Sequence, residues 1–400
     1  MSQLPSSSMK TMRFFATVAR NLEHVLHEEL ASLGLQNLQP TGSGVWFEGS
    51  LEDAYKACLW SRVASSILLH LTTFEAKTPE QLYEGAKSID WTPHLLTRDA
   101  FAVQVSASRP TISHTHYAAL RVKDAIVDQF RETQRARPSV DLEDPDLYVH
   151  LHLNRDEATI SINLNGKSLH RRGWRVAHTQ AHLKENLAAS ILLRADWPNL
   201  AKDGYAFLDP MCGSGTFALE AWMMAADIAP GLGRDDGFAL ETWRSHDRNT
   251  WKQLLNEARE RKDAGLAGEL PPIVAHDKDH AIIRAARENI HMAGAQKYIR
   301  AQQRELLEVT APADRGLIAT NPPYGERMQE FDQAKEVHER FGGMLLTSFM
   351  GWKATVITGS KQLGLAIPLR AVKRYSVFNG PLQCTLLQFD VEEDRIFEPN

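Results

Sequence analysis

The second half of the chain alternates short apolar runs with helical patterns, and this alternation restricts the fold more than any other feature. The apolar runs of strand length are YAFLDP, PPIVAHD, KYIRAQ, RGLIATNPPY and ATVITGS. Between several of them the apolar residues have helical spacing, as in ALEAWMMAADI and HAIIRAARENIHMAG. Strands that alternate with helices form a parallel sheet covered by helices. The sequence therefore predicts an α/β domain, closed by an antiparallel pair near its end.

The first 165 residues predict two smaller α+β units. A strand-helix-strand-helix order over about residues 11–65 indicates the first unit, with helix predicted across residues 51–71. The second unit ends near residue 165 in a predicted hairpin formed by LYVHLHLN and ATISINLNG. Residues 1–10 are rich in serine and predict a disordered tail. With 400 residues, such a division into two or three domains is expected.

Composition and pattern argue against a strongly basic protein, a disulfide-rich protein and a membrane-spanning protein. The net charge of −5 gives no overall basic field, so any nucleic-acid contact must come from a local patch. Three widely spaced cysteines form no disulfide framework and indicate a reducing cytoplasm. No apolar run approaches the ~20 residues that span a bilayer. No further cysteine or glutamate ligands accompany the three histidine pairs (His114 and His116, His150 and His152, His276 and His280), so no metal site is predicted.

The first predicted strand of the α/β domain ends in a glycine turn, LDPMCGSGTF. Gly213 and Gly215 allow a ligand to approach the backbone, and the helix that begins near Thr216 directs its N-terminus there. A P-loop would require a lysine after Gly215, which is absent. A dinucleotide site requires an acidic residue about 20 positions after the glycines. The nearest candidate, Asp277, lies 277 − 213 = 64 positions away, which disfavours a dinucleotide.

S-adenosylmethionine suits the same residues better. Asp209 at the end of the first strand can accept the ammonium group of its amino-acid part. Asp277 at the end of the next strand can accept the hydroxyls of its ribose. The carboxyl ends of strands are where open α/β sheets bind ligands. The alternative is a tight turn whose glycines only relieve strain.

A second motif, TNPPYGERM, follows a later strand and indicates chemistry on an amino group. The exocyclic amino group of a nucleobase is a poor nucleophile, because its lone pair is delocalised into the ring. The side-chain oxygen of Asn321 and the carbonyl of Pro322 could accept its hydrogens, and the prolines hold these acceptors rigidly. Tyr324 offers a face for an extruded base, and Gly325 leaves room for it. The alternative is a turn stiffened by Pro322 and Pro323.

Cations surround a tryptophan in the segment GKSLHRRGWRVAH. The residues concerned are Lys167, Arg171, Arg172, Trp174 and Arg175. One interpretation is a solvated linker. The other is a hinge that contacts RNA, in which the cations pair with phosphates and the tryptophan stacks on a base.

These motifs together resemble the class I amino methyltransferases, which carry D-P-x-x-G-S-G-T and N-P-P-Y. More narrowly, the chain resembles the bacterial THUMP-containing RNA methyltransferases of the large-subunit ribosomal RNA guanine-N2 type. The resemblance extends from about Arg13 to Val391. The segments that carry it are LHRRGWR, AHLKENLAA, LDPMCGSGTFALEA, TNPPYGERM and YSVFNGPLQC.

The resemblance implies a domain order and a set of site residues. The domains would be a disordered tail (1–10), a ferredoxin-like domain (11–65), a THUMP RNA-binding domain (66–165), a basic linker (166–180) and a Rossmann-like methyltransferase domain (181–400). Cofactor contacts would come from Asp209, Pro210, Met211, Cys212, Gly213, Gly215, Thr216, Asp277, Glu305, Lys184 and Asn186. The target base would lie against Asn321, Pro322, Pro323 and Tyr324, and Lys123 of the THUMP helix would join the cations named above in contacting RNA.

The implied reaction is transfer of a methyl group from S-adenosylmethionine to a guanine of 23S ribosomal RNA, forming N2-methylguanine at a site of the guanine-2445 type. Free ribosomal RNA or a pre-ribosomal particle in the cytoplasm would be the partner, with no membrane involved. The first alternative is the same chemistry on transfer RNA. Others are a DNA adenine methylase, an RNA-binding assembly factor without catalysis, and a nicotinamide oxidoreductase.

Overall fold

The computed structural model describes residues 11–177, 183–325 and 328–397. The predicted tail and the last three residues of the predicted linker, 178–180, lie outside the described residues. The described strands are β1 (Met12–Thr17), β2 (Gln36–Thr41), β3 (Gly44–Gly49), β4 (Ser66–Glu75), β5 (Ala100–Ser108), β6 (Ser139–Val140), β7 (Leu147–Asn154), β8 (Glu157–Asn163), β9 (Ala206–Asp209), β10 (Ile273–Asp277), β11 (Ile299–Gln303), β12 (Gly316–Thr320), β13 (Lys353–Thr358), β14 (Lys373–Asn379) and β15 (Leu382–Asp390). The described helices are α1 (Glu23–Ser32), α2 (Leu51–Trp60), α3 (Pro79–Lys87), α4 (Thr115–Gln134), α5 (Glu185–Arg194), α6 (Trp197–Lys202), α7 (Thr216–Ala225), α8 (Arg248–Ala267), α9 (His280–Met292), α10 (Met328–Ser348) and α11 (Lys361–Leu365).

The first sheet runs through both N-terminal units in the strand order β2-β3-β1-β4-β8-β7-β5-β6. Strand β4 joins the two units, because it pairs antiparallel with β1 on one side and with β8 on the other. The predicted hairpin is confirmed, with Val149 of β7 opposite Ile162 of β8. The two predicted α+β units therefore share one backbone hydrogen-bond network.

The helix predicted across residues 51–71 is wrong in its second half. Helix α2 ends at Trp60, and strand β4 begins at Ser66. Within β4, Leu69 is buried and lies opposite Ile162 of β8. A short apolar run has no periodicity that separates helix from strand, so tertiary pairing decides between them.

The second sheet has the strand order β11-β10-β9-β12-β13-β15-β14, which confirms the predicted α/β class. Strands β9 to β13 are parallel, and β15 pairs antiparallel with both β13 and β14. The order reverses at β9, because β10 lies on one side of it and β12 on the other. Asp209 ends β9, Asp277 ends β10, and Asn321 follows β12. The three predicted site residues thus meet where sheets of this type bind ligands.

The two halves of the molecule share a buried core. One apolar cluster contains Phe14 of β1 together with Phe207 of β9 and Trp197 of α6. At the contact between the halves, Arg62 is buried and its Nη2 donates to the carbonyl of Ile228 at 2.7 Å. Because apolar packing and buried polar contacts both cross this boundary, the first sheet is held in a fixed position relative to the second.

Candidate active site

A cavity of about 370 Å³ lies at the carboxyl ends of β9, β10 and β12. The predicted residues that line it are Asp209, Pro210, Met211, Cys212, Gly213, Thr216, Asp277, Glu305, Asn321, Pro322, Pro323 and Tyr324. The structure therefore brings the glycine turn and the N-P-P-Y motif to one space. The two motifs are in direct contact, because the Thr320 hydroxyl donates to Asp209 across 111 positions of sequence.

The glycine turn depends on backbone conformations that suit glycine. Gly213 has φ +53° and Gly215 has φ +86°. A Cβ on Gly213 would meet no atom within 4 Å, so the backbone angle and not the available space favours glycine there. Gly215 is the residue before α7, which begins at Thr216 at the wall of the cavity. Gly215 itself does not line the cavity and is the N-cap residue of α7.

Asp209 is buried, with 1% of its surface exposed. Its Oδ1 accepts hydrogen bonds from the Met211 amide at 3.2 Å and from the Thr320 hydroxyl at 2.9 Å. Burial, together with the neighbouring charge of Asp277, nevertheless raises the pKa of Asp209 to about 8. A cationic group in the cavity would provide the positively charged partner that the ionised form of Asp209 lacks.

Asp277 is held in place by backbone donors. Its Oδ2 accepts from the Gly213 amide at 3.2 Å, and its Oδ1 accepts from the Asp279 amide at 3.1 Å. Burial raises the pKa of Asp277 in spite of these bonds. The bond to Gly213 ties the end of β10 to the glycine turn after β9, so the two acidic residues keep a fixed separation.

Asn321 and Tyr324 contact each other directly. The Tyr324 hydroxyl donates to Asn321 Oδ1 at 2.5 Å and accepts from Asn379 Nδ2 at 3.3 Å. Burial raises the pKa of Tyr324, so the hydroxyl keeps its proton. The tyrosine lies close over Gly359, where an added Cβ would be 2.7 Å from the Tyr324 Cβ. Glycine at this position makes the space that Tyr324 occupies.

Three predicted cofactor residues have different surroundings. Glu305 is exposed at the rim of the cavity, just after β11. Lys184 is exposed at the N-cap of α5 and does not line the cavity. Asn186 is buried away from the cavity, and its Nδ2 donates to Ser65 Oγ at 3.1 Å. Asn186 therefore joins α5 to the first sheet instead of reaching a ligand in this cavity.

Several residues of the cavity wall were not predicted from the sequence. They are Leu183, Ser214, Phe217, Lys278, Ile282, Arg304, Leu306, Val337 and Arg340. Ser214 lies inside the quoted glycine turn and could have been included. Val337 and Arg340 belong to α10, which carries no motif that announces contact with a ligand.

Burial contradicts the RNA contacts predicted for Arg172 and Trp174. Arg172 is 2% exposed, and its Nε lies 3.2 Å from Glu220 Oε1, also buried. Its Nη2 donates to the Arg62 carbonyl at 2.7 Å. Trp174 is 4% exposed, which leaves no ring face for a base to stack on. Arg172 therefore joins the two halves of the molecule, through the Arg62 carbonyl in one and Glu220 in the other.

Arg175 holds the glycine turn instead of facing an RNA. Its Nη1 donates to Ser214 Oγ at 2.7 Å, and its Nη2 donates to Thr216 Oγ1 at 2.9 Å. Its Nε also pairs with Glu185 Oε1 at 2.8 Å. The guanidinium therefore connects α5 to the turn that lines the cavity.

The remaining predicted RNA contacts are at the surface. Lys167 and Arg171 both pair with Asp236, at 2.8 and 3.1 Å, and their side chains are 44% and 53% exposed. Lys123 on α4 lies 2.6 Å from Asp124, and its side chain is 32% exposed. All three cations are accessible to a phosphate.

Comparison with known proteins agrees with this geometry. A family model described as the RMKL-like methyltransferase domain matches residues 172–388. The chain belongs to this RMKL-like methyltransferase family. Models of the RlmL ferredoxin-like domain and of the THUMP domain match residues 13–68 and 76–163. The predicted family, the α/β fold and the two N-terminal domain types are thereby confirmed.

Two curated relatives show how much of a longer protein this chain covers. Both are named ribosomal RNA large subunit methyltransferase K/L. The protein from Syntrophotalea carbinolica is 47% identical over 391 residues, which are 96% of this chain and 54% of the relative. The protein from Methylococcus capsulatus is 45% identical over 389 residues, 97% of this chain and 52% of the relative. The chain spans about half the length of the curated relatives it matches.

A solved structure covers nearly all of the chain. SMU.472, a candidate methyltransferase crystallised in complex with SAH, is 30% identical, with a TM-score of 0.85. The match covers 95% of this chain and 98% of SMU.472. The SAH held by that protein agrees with the predicted cofactor. Among the described residues, no helix combines the length and the apolar character needed to cross a membrane.

Proposed function

We propose that this chain is an S-adenosylmethionine-dependent methyltransferase that forms N2-methylguanine in 23S ribosomal RNA. The observation that carries the proposal is the convergence of Asp209, Asp277 and Asn321 on one cavity from three neighbouring strand ends. The first two suit the cofactor, and the third suits an amino group. The names of the curated relatives support a ribosomal RNA substrate.

The residues of the cavity fit S-adenosylmethionine. The buried carboxyl of Asp209 lacks a cationic partner among its described contacts, and the ammonium group of the cofactor would provide one. Asp277, at the end of the neighbouring strand, would accept the ribose hydroxyls. The apolar side chains of Ile282 and Leu306 line the cavity and suit a flat adenine ring. When bound, the cofactor supplies an electrophilic methyl group on its sulfonium sulfur.

The N-P-P-Y residues would bind and orient the target guanine. Asn321 Oδ1 has two acceptor positions, of which the Tyr324 hydroxyl uses one. The second can accept an N–H of the guanine amino group, and the Pro322 carbonyl can accept the other. Fixing both hydrogens aims the nitrogen lone pair at the methyl group, which is a positioning effect. No strong general base is needed, because the amino nitrogen becomes acidic once it is methylated.

RNA binding would use cations outside the cavity. Lys123, Lys167 and Arg171 are accessible, and each phosphate contact releases counterions from the RNA. Arg172, Trp174 and Arg175 take no part, because they are engaged inside the protein. Transfer RNA is the alternative substrate, with the same chemistry at the same cavity.

Substitution at Asn321 tests the role of the amide oxygen. We expect Asn321→Ala to bind S-adenosylmethionine within about twofold of the wild-type protein and to transfer methyl groups about a hundredfold more slowly, the usual effect of losing one positioned transition-state contact. Asn321→Asp keeps an acceptor oxygen and serves as the matched control, with a smaller loss. The measurements are calorimetry with the cofactor and single-turnover methyl transfer to RNA. Unchanged turnover in Asn321→Ala would remove the catalytic assignment.

A further inference from the structure

A chain of hydrogen bonds extends from the N-P-P-Y motif to Asn379, which lies in the segment YSVFNGPLQC but has no role assigned to it by the sequence. Asn379, the last residue of β14, donates from Nδ2 to the Tyr324 hydroxyl oxygen at 3.3 Å. That hydroxyl donates to Asn321 Oδ1 at 2.5 Å. The three side chains form a relay from the end of β14 to the cavity wall, across 55 positions of sequence between Tyr324 and Asn379.

The direction of this relay follows from the groups in it. The amide nitrogen of Asn379 can only donate, so the tyrosine oxygen must act as its acceptor. The single proton of the Tyr324 hydroxyl is then free to point at Asn321. A carboxamide that receives a hydrogen bond must turn its oxygen toward the donor. The relay therefore fixes the orientation of the Asn321 amide, because its oxygen must face the Tyr324 hydroxyl.

The surroundings of the relay keep its geometry constant. The Tyr324 Cβ lies over Gly359, which has no side chain to displace it. The thiol of Cys384 in β15 also lies beside the Tyr324 hydroxyl; it is 3% exposed and burial raises its pKa, so it stays neutral. Asn379 itself is fixed by its place in the β14–β15 hairpin, opposite Leu382.

We propose that Asn379 is a positioning residue, which acts through the Tyr324 hydroxyl to present the Asn321 oxygen to the amino group of the substrate. This inference rests on the proposed function, because it names a further residue of the same site. Without the relay, the Asn321 amide can rotate by half a turn and present N–H donors. The N–H group of a rotated Asn321 amide cannot accept a hydrogen bond from the amino group of the base. The lone pair of that amino nitrogen is then no longer directed at the methyl group.

The variant Asn379→Asp tests the direction of the relay with almost no change in shape. The carboxylate accepts the Tyr324 proton, which reverses the relay and turns the amide nitrogen of Asn321 toward the tyrosine. We expect the kcat for methyl transfer to fall about tenfold or more, the effect of a lost hydrogen bond in a positioned network, with cofactor affinity unchanged in calorimetry. In a Tyr324→Phe protein, which has no hydroxyl, Asn379→Asp should have less than about a twofold further effect. Equal losses in both backgrounds, or no loss in either, would overturn the proposal.

A second measurement compares the wild-type protein, Asn379→Asp, Tyr324→Phe and the double variant, and it requires no methyl transfer. With asparagine labelled by ¹⁵N, the side-chain NH₂ signal of Asn321 is assigned by its absence in Asn321→Asp. Asn379→Asp should shift that signal when Tyr324 is present and leave it unmoved in Tyr324→Phe. The same shift in both backgrounds, or none, contradicts the relay. A wild-type protein that forms no N2-methylguanine would refute the proposed function, while the NMR cycle would still decide on the relay.

Discussion

At the scale of single residues, Asp209 affects both the stability of the folded protein and its proposed binding of the cofactor. Its carboxyl is buried with no cation among its described hydrogen-bond partners, and burial raises its pKa to about 8. A carboxyl whose pKa is raised in the folded state favours folding below its unfolded pKa. That contribution is lost as the pH rises through about 8. The site therefore keeps an acidic residue at the expense of stability in the ligand-free protein.

Replacing Asp209 with asparagine should have opposite effects on stability and binding. We expect Asp209→Asn to raise the thermal unfolding midpoint of the ligand-free protein at pH 8, because no charge then has to be buried. Affinity for S-adenosylmethionine should fall at least about tenfold, since the partner of the ammonium is lost. In the wild-type protein, affinity should increase as the pH rises from 6 toward about 8, as the carboxyl ionises. Scanning calorimetry and cofactor titrations at several pH values would measure both effects, and a pH-independent affinity would contradict the assignment.

At the scale of elements, the linker shows that the same residue type can have opposite roles in adjacent positions. Arg171 is half exposed and pairs with Asp236, whereas Arg172 is buried and pairs with Glu220. Burial also raises the pKa of Glu220, so this carboxylate depends on its cationic neighbours to remain charged. Removing one partner of a buried ion pair leaves the other charge buried and uncompensated. In an exposed pair the remaining charge is solvated by water, so the loss is small.

Alanine substitutions at these two positions form a matched pair. We expect Arg172→Ala to lower the free energy of unfolding by roughly 3–5 kcal/mol. Arg171→Ala should lower it by no more than about 1 kcal/mol. Replacing both Arg172 and Glu220 with methionine and leucine should recover part of the loss, because neither of these two charges then remains buried, while the buried Arg62 loses Glu220 as a neighbour. Chemical denaturation measures all of these, and equal effects of Arg171→Ala and Arg172→Ala would contradict the structural role.

The sequence predicted the elements that local pattern defines, and missed those that depend on distant partners. The strand ends at Asp209, Asp277 and Asn321 could be predicted, because each follows a short apolar run and precedes a helix or a turn. The burial of Arg172 could not, because its partner Glu220 lies 48 positions away. Residues 66–71 of strand β4 were predicted as helix for the same reason, since the pairing of β4 with β1 and β8 is not visible in its own residues.

At the scale of the whole molecule, the two sheets have a fixed relation. The apolar core and the buried contacts of Arg62 and Arg172 cross from the N-terminal half to the C-terminal half. The surface cations and the cavity therefore keep constant distances, which suits a folded RNA better than a flexible strand. The orientation of the halves could not be derived from sequence, because apolar periodicity shows that a face is buried but not against which partner.

The surface cations should govern RNA affinity without affecting the chemistry in the cavity. We expect a protein with Lys123, Lys167 and Arg171 replaced by alanine to bind 23S ribosomal RNA more weakly. The slope of log affinity against log salt should fall by up to about 2 to 3, as expected for up to three lost phosphate contacts. Cofactor affinity and the unfolding midpoint should stay the same. Filter binding over a series of salt concentrations provides the measurement, and an unchanged slope would show that these cations face solvent only.

The central claim is that the cavity places a methyl donor against the amino group of a guanine. The most direct test incubates the purified chain with S-adenosylmethionine carrying a labelled methyl group and with unmodified 23S ribosomal RNA, or transfer RNA in parallel. The RNA is then digested, and the labelled nucleoside is identified by mass spectrometry. We expect N2-methylguanosine from ribosomal RNA, formed by the wild-type protein and far more slowly by Asn321→Ala. Label in another nucleoside, such as N6-methyladenosine, or no transfer to any RNA by a protein that binds the cofactor, would contradict it.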